Sequence, residues 1–333
     1  ISLAETGISD AAGNASVFFR LINIFELTTT VQFEIFISIL WNLILVMLIL
    51  KSKKTLNFMQ MVFLISSIAV LNIWDFCLAK EPLQMLFFVV IYYVIVNSHL
   101  TIKMKYTLSI LVILLSVLYY RVYYILIIAF LILVAILCNK WLLKLEKVNK
   151  KTILILLVSL VFSYFIMLNC IKFIDSASYN ELIRVRTREG IANTQMVNIF
   201  KSTNLGLFCL DYLIMILRML FPIELIPMGI KYCPYVIYQI IVSYFVIKDI
   251  IHIKENTKSE NLALYMYIAF LLGSATFEPD FGSWVRHEAA IFPILMIITN
   301  IVRIKTNKLE VKEDEKKDNK LYEESNMVNI KNS

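Results

Sequence analysis

Residues 106–138 read YTLSILVILLSVLYYRVYYILIIAFLILVAILC, thirty-three residues without glycine or proline. As one helix this stretch would run about 50 Å at 1.5 Å per residue. That exceeds a bilayer hydrocarbon core of about 30 Å, so the stretch must fold back on itself. Arg121 stands at its midpoint between Tyr119, Tyr120, Tyr123 and Tyr124, where interfacial aromatics would mark a tight hairpin. The rest of the chain agrees. Its 333 residues are 59% hydrophobic and 17% charged, against roughly 45–50% and 25% in soluble domains. Mean hydropathy is +0.75. A soluble enzyme, a secreted disulfide scaffold and a disordered chain are excluded together. Seven glycines and six prolines leave few sharp turns, so the expected fold is all-α, a polytopic membrane helix bundle.

Nine segments suit a span of about 20 apolar residues: 32–50, 56–77, 83–98, 106–120, 122–138, 152–171, 234–250, 261–277 and 288–303. Lysines orient them. With nine alternating spans, twenty of 24 lysines fall on one side, which the positive-inside rule makes cytoplasmic. The expected organisation is an extracytoplasmic segment 1–31, six spans within 32–171, and an extracytoplasmic helical loop 172–233. Three spans within 234–303 and a charged cytoplasmic tail 304–333 complete it. The chain opens at Ile1, which leaves room for a preceding span. The piece 205–227, LGLFCLDYLIMILRMLFPIELIP, carries Asp211, Arg218 and Glu224 and is expected to be re-entrant or to lie on the surface. In the same loop Ser178 and Glu181 have capping-box spacing, which would place Arg184 and Arg188 on one helix face and Arg186 elsewhere. Asn193 or Thr194 would cap a second short helix to about residue 203.

Arginines sort the other way: seven of eight, among them Arg121, Arg184, Arg188, Arg218 and Arg286, fall on the outer side. A guanidinium fork suits phosphate and carboxylate. Either these arginines bind an anionic substrate, or they pair with acids such as Glu181, Asp211 and Asp280.

The densest group of ionisable residues is FEPDFGSWVRHEAAIFP at 277–293. Glu278, Asp280, Arg286, His287 and Glu288 crowd the entry to the last span, with Ser283 as expected N-cap. Pro293 should kink that helix. Charges at membrane depth mark a functional site by default. The bland reading is an interfacial cap with Trp284 as belt anchor and the charges solvated. His287, Glu288 and Asp280 are the candidate catalytic groups.

The five cysteines are scattered without a C-x-x-C pair and the three histidines have no metal-ligand spacing. No metal site and no cofactor are expected, with a divalent cation left open. No phosphate-binding glycine loop occurs, so an activated donor would have to reach the outer face already energised. No nucleic-acid partner is expected.

The last helix entered through DFGSWVRHEAAIFPIL, the run Arg121-Val122-Tyr123-Tyr124 and the outer loop with PIEL at 222–225 resemble bacterial membrane proteins of cell-surface polysaccharide assembly. These are the Wzy-type repeat-unit polymerases and GT-C-like lipid-sugar-dependent transferases. The resemblance implies glycan transfer from an undecaprenyl-diphosphate carrier at the outer face, alongside other polysaccharide-assembly proteins. It carries over Arg121, Arg286 and either Arg184 or Arg188. The competing reading is a transporter or flippase of lipid-linked sugars, which would place polar groups at the midplane on broken helices.

Overall fold

The computed structural model describes residues 11–52, 55–76, 81–119, 122–139, 193–200, 204–278, 280–302 and 304, with scattered positions between 158 and 187. Among the described residues the chain is helical and forms no strand. In order come α1 (Ala11–Ile22), α2 (Thr30–Ile49), α3 (Phe58–Val70), α4 (Glu81–Val96), α5 (Ile102–Tyr119) and α6 (Ile125–Leu137). Then follow α7 (Leu205–Leu220), α8 (Cys233–Ile251), α9 (Lys258–Phe277), α10 (Phe281–Ala290) and α11 (Phe292–Ile298).

The apolar excess goes to two places. α2 buries Ile37, Trp41, Leu45 and Leu48 on one face and leaves Val31, Ile35, Ile39, Leu43 and Met47 bare on the other. Bare apolar faces of this extent are what a bilayer covers. Among the described residues α2, α5 and Ile230–Ile251 are long and apolar enough to cross a membrane, and the bent pair α10–α11 adds a fourth if it is one span. Shorter apolar helices run over Phe58–Ile73, α4 and α6. These apolar helices suggest a membrane protein. The expected span 152–171 falls mostly outside the described residues, as do the capping box at 178–181 and the tail from 305.

The 106–138 stretch breaks as its length requires: α5 stops at Tyr119, a 3-10 turn covers Val122–Tyr124, and α6 packs back against α5. Asn14 of α1 donates to the Tyr119 carbonyl at 2.7 Å and fastens the α5 end.

At the centre stands α9, buried along nearly its whole length. Its start is a reciprocal cap, Thr257 accepting from the Glu260 N–H and Glu260 accepting from the Thr257 N–H. α6 is its closest neighbour. Gly273 permits that approach, because a Cβ there would stand 3.2 Å from Ile127 Cγ1. The chain continues into α10 and α11, which meet at Ile291 with a bend of 71°. Pro293, in the first turn of α11, has no N–H to carry the ladder across, as its place in the sequence predicts.

One local expectation is corrected. No helix runs from Asn193 or Thr194: after a turn, Gln195 bridges Asp280 and residues 196–198 have no regular structure. A backbone bond to α10, from Phe281 N to the Thr194 carbonyl at 3.0 Å, competes better there than a short isolated helix. The helix within 205–227 ends at Leu220. Pro222 and Pro227 turn the remainder into 3-10 coils that stop at Gly229, whose φ of 132° suits glycine.

Candidate functional site

The site is built around the entrance to α10. α9 ends at Phe277, the backbone turns extended at Glu278, and Asp280 caps α10 by accepting from the Ser283 N–H at 2.9 Å. Asp280, expected as a catalytic acid, is thus the N-cap, and Ser283 is not. Both residue types favour caps. Asp280 wins because the bridge to Gln195 holds its backbone extended at φ −152°. The Ser283 hydroxyl is released for another task and donates to Glu278 Oε2 at 2.5 Å.

One turn on, His287 sits between two carboxylates. Its Nδ1 is hydrogen-bonded to Glu278 Oε1. Its Nε2 stands 3.6 Å from Oε1 of Glu81, in the first turn of α4. Gln84, one turn along α4, donates to the His287 carbonyl at 3.1 Å and fixes the two helices in register. Glu81, Glu278 and His287 are all buried. A carboxylate accepting at Nδ1 sets the proton on that nitrogen and orients the ring, with Nε2 turned toward Glu81. The 3.6 Å gap to Glu81 is longer than a hydrogen bond, so a third group must bridge it before a proton can pass.

Glu288, the next residue, faces away from this array into the bundle and is 0% exposed. Its Oε1 accepts from the Tyr267 hydroxyl of α9 at 2.6 Å and from Nε2 of Gln239 in α8 at 2.9 Å. Trp284 is also 0% exposed and donates its indole N–H to the Met219 carbonyl at 3.3 Å. It is a core side chain of the bundle, and of the three acids in this stretch Glu278 and Glu288 are buried while Asp280 is half-buried.

The arginines divide. Arg218 is neutralised by Glu224 at 2.7 Å and also donates to the Val197 carbonyl at 2.7 Å. Arg186 is buried, donating to the Ala275 carbonyl at 2.6 Å and meeting the Met196 carbonyl and Met215 Sδ. Burial pushes its guanidinium below the ordinary value, and Tyr164 and Glu278 pull it back up. Arg286 is half-buried; its Nε donates to the Gly282 carbonyl at 3.2 Å, and its two terminal nitrogens have no partner among the described residues. Arg121, Arg184 and Arg188 lie outside the described residues. Asp211 is buried and accepts from the Ile199 and Phe200 N–H groups rather than from an arginine.

Comparison with family models, curated proteins and solved structures finds no match to this chain. The site must be read from its chemistry alone. Among the described residues no group of three or more His, Cys, Asp or Glu side chains could hold a metal ion. A cavity of about 810 Å³ opens near Gln60, Lys248, His252 and Asn300, where α8 and α11 end, and contains none of the α10 residues.

Sequence reasoning found His287, Glu288 and Arg286 but missed Glu81, Gln84, Gln239, Tyr267 and Arg186. Single amides and acids set in apolar helices, such as Gln84 and Gln239, were the available signal.

Proposed function

We propose that the chain is a multi-pass membrane enzyme of cell-envelope polysaccharide assembly, transferring or polymerising a polyprenyl-diphosphate-linked glycan at the outer face. The nine-span topology, with loop 172–233 outside and the tail inside, belongs to this reading. One observation carries it. Arg286 keeps two unengaged guanidinium nitrogens one residue before a histidine bracketed by two carboxylates. Charge-assisted bonds from such a fork suit a diphosphate and would stabilise it as it departs. In the transfer, the acceptor hydroxyl forms a bond to the anomeric carbon while the bond from that carbon to the diphosphate oxygen breaks. The hydroxyl proton passes to Nε2 of His287, whose Nδ1 is held by Glu278.

The test is to express Arg286→Ala, Arg286→Lys and His287→Gln in cells lacking the chain, confirm membrane levels, and measure surface polymer and lipid-linked intermediates. Loss of polymer with build-up of the lipid-linked unit is expected for all three, since a lysine point charge does not replace the fork. Normal polymer from Arg286→Ala at normal abundance would end the proposal.

A second reading, movement of the lipid-linked sugar across the bilayer, is favoured by the position of Glu288. Its partner Tyr267 lies ten residues before the end of α9, about 15 Å along the helix. With the end of α9 at the outer boundary of the membrane, as this topology has it, that depth is near the middle of a core about 30 Å thick. Lipid-linked sugar trapped on the inner leaflet in His287→Gln would favour this reading over transfer.

A further inference from the structure

The two planar groups of Glu288 and Gln239 meet through one hydrogen bond, Gln239 Nε2 to Glu288 Oε1 at 2.9 Å. Tyr267 adds a second donor to the same oxygen. The remaining heteroatom of each group, Glu288 Oε2 and Gln239 Oε1, is buried without a hydrogen-bond partner. Both are acceptors when the carboxyl is ionised, and turning the amide over would only place its oxygen against Glu288 Oε1. Among the described residues no lysine, arginine or histidine pairs with Glu288. The titratable groups around it are Tyr267 from α9 and Tyr235 and Tyr238 from α8, while Glu81 of α4 is turned to His287. A buried carboxylate with one oxygen unpartnered and no cation beside it is costly, and such groups neutralise instead.

A single proton resolves both orphans. We propose that Glu288 holds a proton on Oε2 and closes a two-bond acid–amide ring with Gln239, making the bundle interior a proton-binding site. Nothing in this inference depends on a glycan substrate. The oxygen that accepts twice is the carbonyl of the acid, and the oxygen without a donor is its hydroxyl. Release of the proton would set two acceptors face to face and part α8 from α10. The same short helix bears His287 and Arg286, so the proton on Glu288 is tied to the placement of the entrance residues.

Infrared spectroscopy of the full chain in lipid vesicles at neutral pH tests this directly. The difference between wild type and Glu288→Gln should show the loss of one protonated-carboxyl C=O band and no loss among the carboxylate bands. Loss of a carboxylate band would overturn the proposal. Gln239→Met supplies the independent arm, since it keeps Glu288 and removes the amide of similar size. The carboxyl band should then move to higher frequency as its hydrogen bonds weaken. An unmoved band would rule out the ring.

Discussion

Arg186 reaches across to the last turn of α9 and donates to the Ala275 carbonyl at 2.6 Å, joining the 172–233 segment to the central helix. Its backbone carbonyl accepts from Asn198 N at 2.9 Å, so one residue fastens two segments. Replacing it strands the Ala275 and Met196 carbonyls, at about 1–3 kcal/mol for each buried group left unpaired. Arg186→Met should lower thermal stability and membrane level together, and Arg186→Lys should recover only part, because one ammonium cannot reach acceptors in several directions. Thermal unfolding in detergent checks this. An Arg186→Met chain as stable as wild type would remove the anchor role.

Asp280 and Ser283 should separate in function although three residues apart. Asp280→Ala removes a helix cap and should cost about 1 kcal/mol of stability while leaving polymer output per molecule unchanged. Ser283→Ala leaves that cap bond in place, since the Ser283 N–H remains, but removes the hydroxyl that donates to Glu278 Oε2. Output per molecule should fall about tenfold, the equivalent of roughly 1.5 kcal/mol for a hydrogen bond to a charged group, with Ser283→Thr restoring it. Equal output from Ser283→Ala and wild type would show that Glu278 needs no positioning from this hydroxyl.

The contact of α6 with α9 rests on a missing side chain. Gly273→Val should destabilise the bundle by about 1–3 kcal/mol through overpacking against Ile127. Combining it with Ile127→Ala should return part of that loss, as a double-mutant cycle of thermal midpoints would read. Strict additivity of the two changes would mean that the residues do not compete for space.

Orientation is checked by cysteine accessibility in a cysteine-free background. From outside the cell, Arg184→Cys should be labelled and Lys144→Cys should not. The reverse pattern would invert the topology and remove the outer-face chemistry with it.

What the sequence made legible follows physical range. The kink at Pro293 could be read because the missing N–H acts within one turn of the same helix. The break inside 106–138 could be read because bilayer thickness is an absolute limit. The choice between Asp280 and Ser283 as cap was not legible, since the bridge that decides it comes from Gln195, far back in the chain. Glu81 lies about two hundred residues from His287, and Gln239 and Tyr267 reach Glu288 only through the packing of three helices. Arg186 was assigned away from the shared face of Arg184 and Arg188. It is buried, with its acceptors on the 193–200 segment and α9. Side-chain periodicity reports the faces of one helix and says nothing of which distant carbonyl awaits them.

The bend of 71° between α10 and α11 has a consequence for how a long-tailed molecule would meet the acid–base pair. Two rods at that angle cannot both stand upright in a bilayer; at least one leans by roughly 35° or more from the normal, beyond the average tilt of spanning helices. If α11 is the upright one, α10 lies nearly in the plane of the leaflet and offers its residues sideways. A lipid drifting within the membrane would then arrive at Arg286 headgroup first with its chains still among other chains. No acyl or prenyl carbon would have to enter water, and capture would be a two-dimensional search.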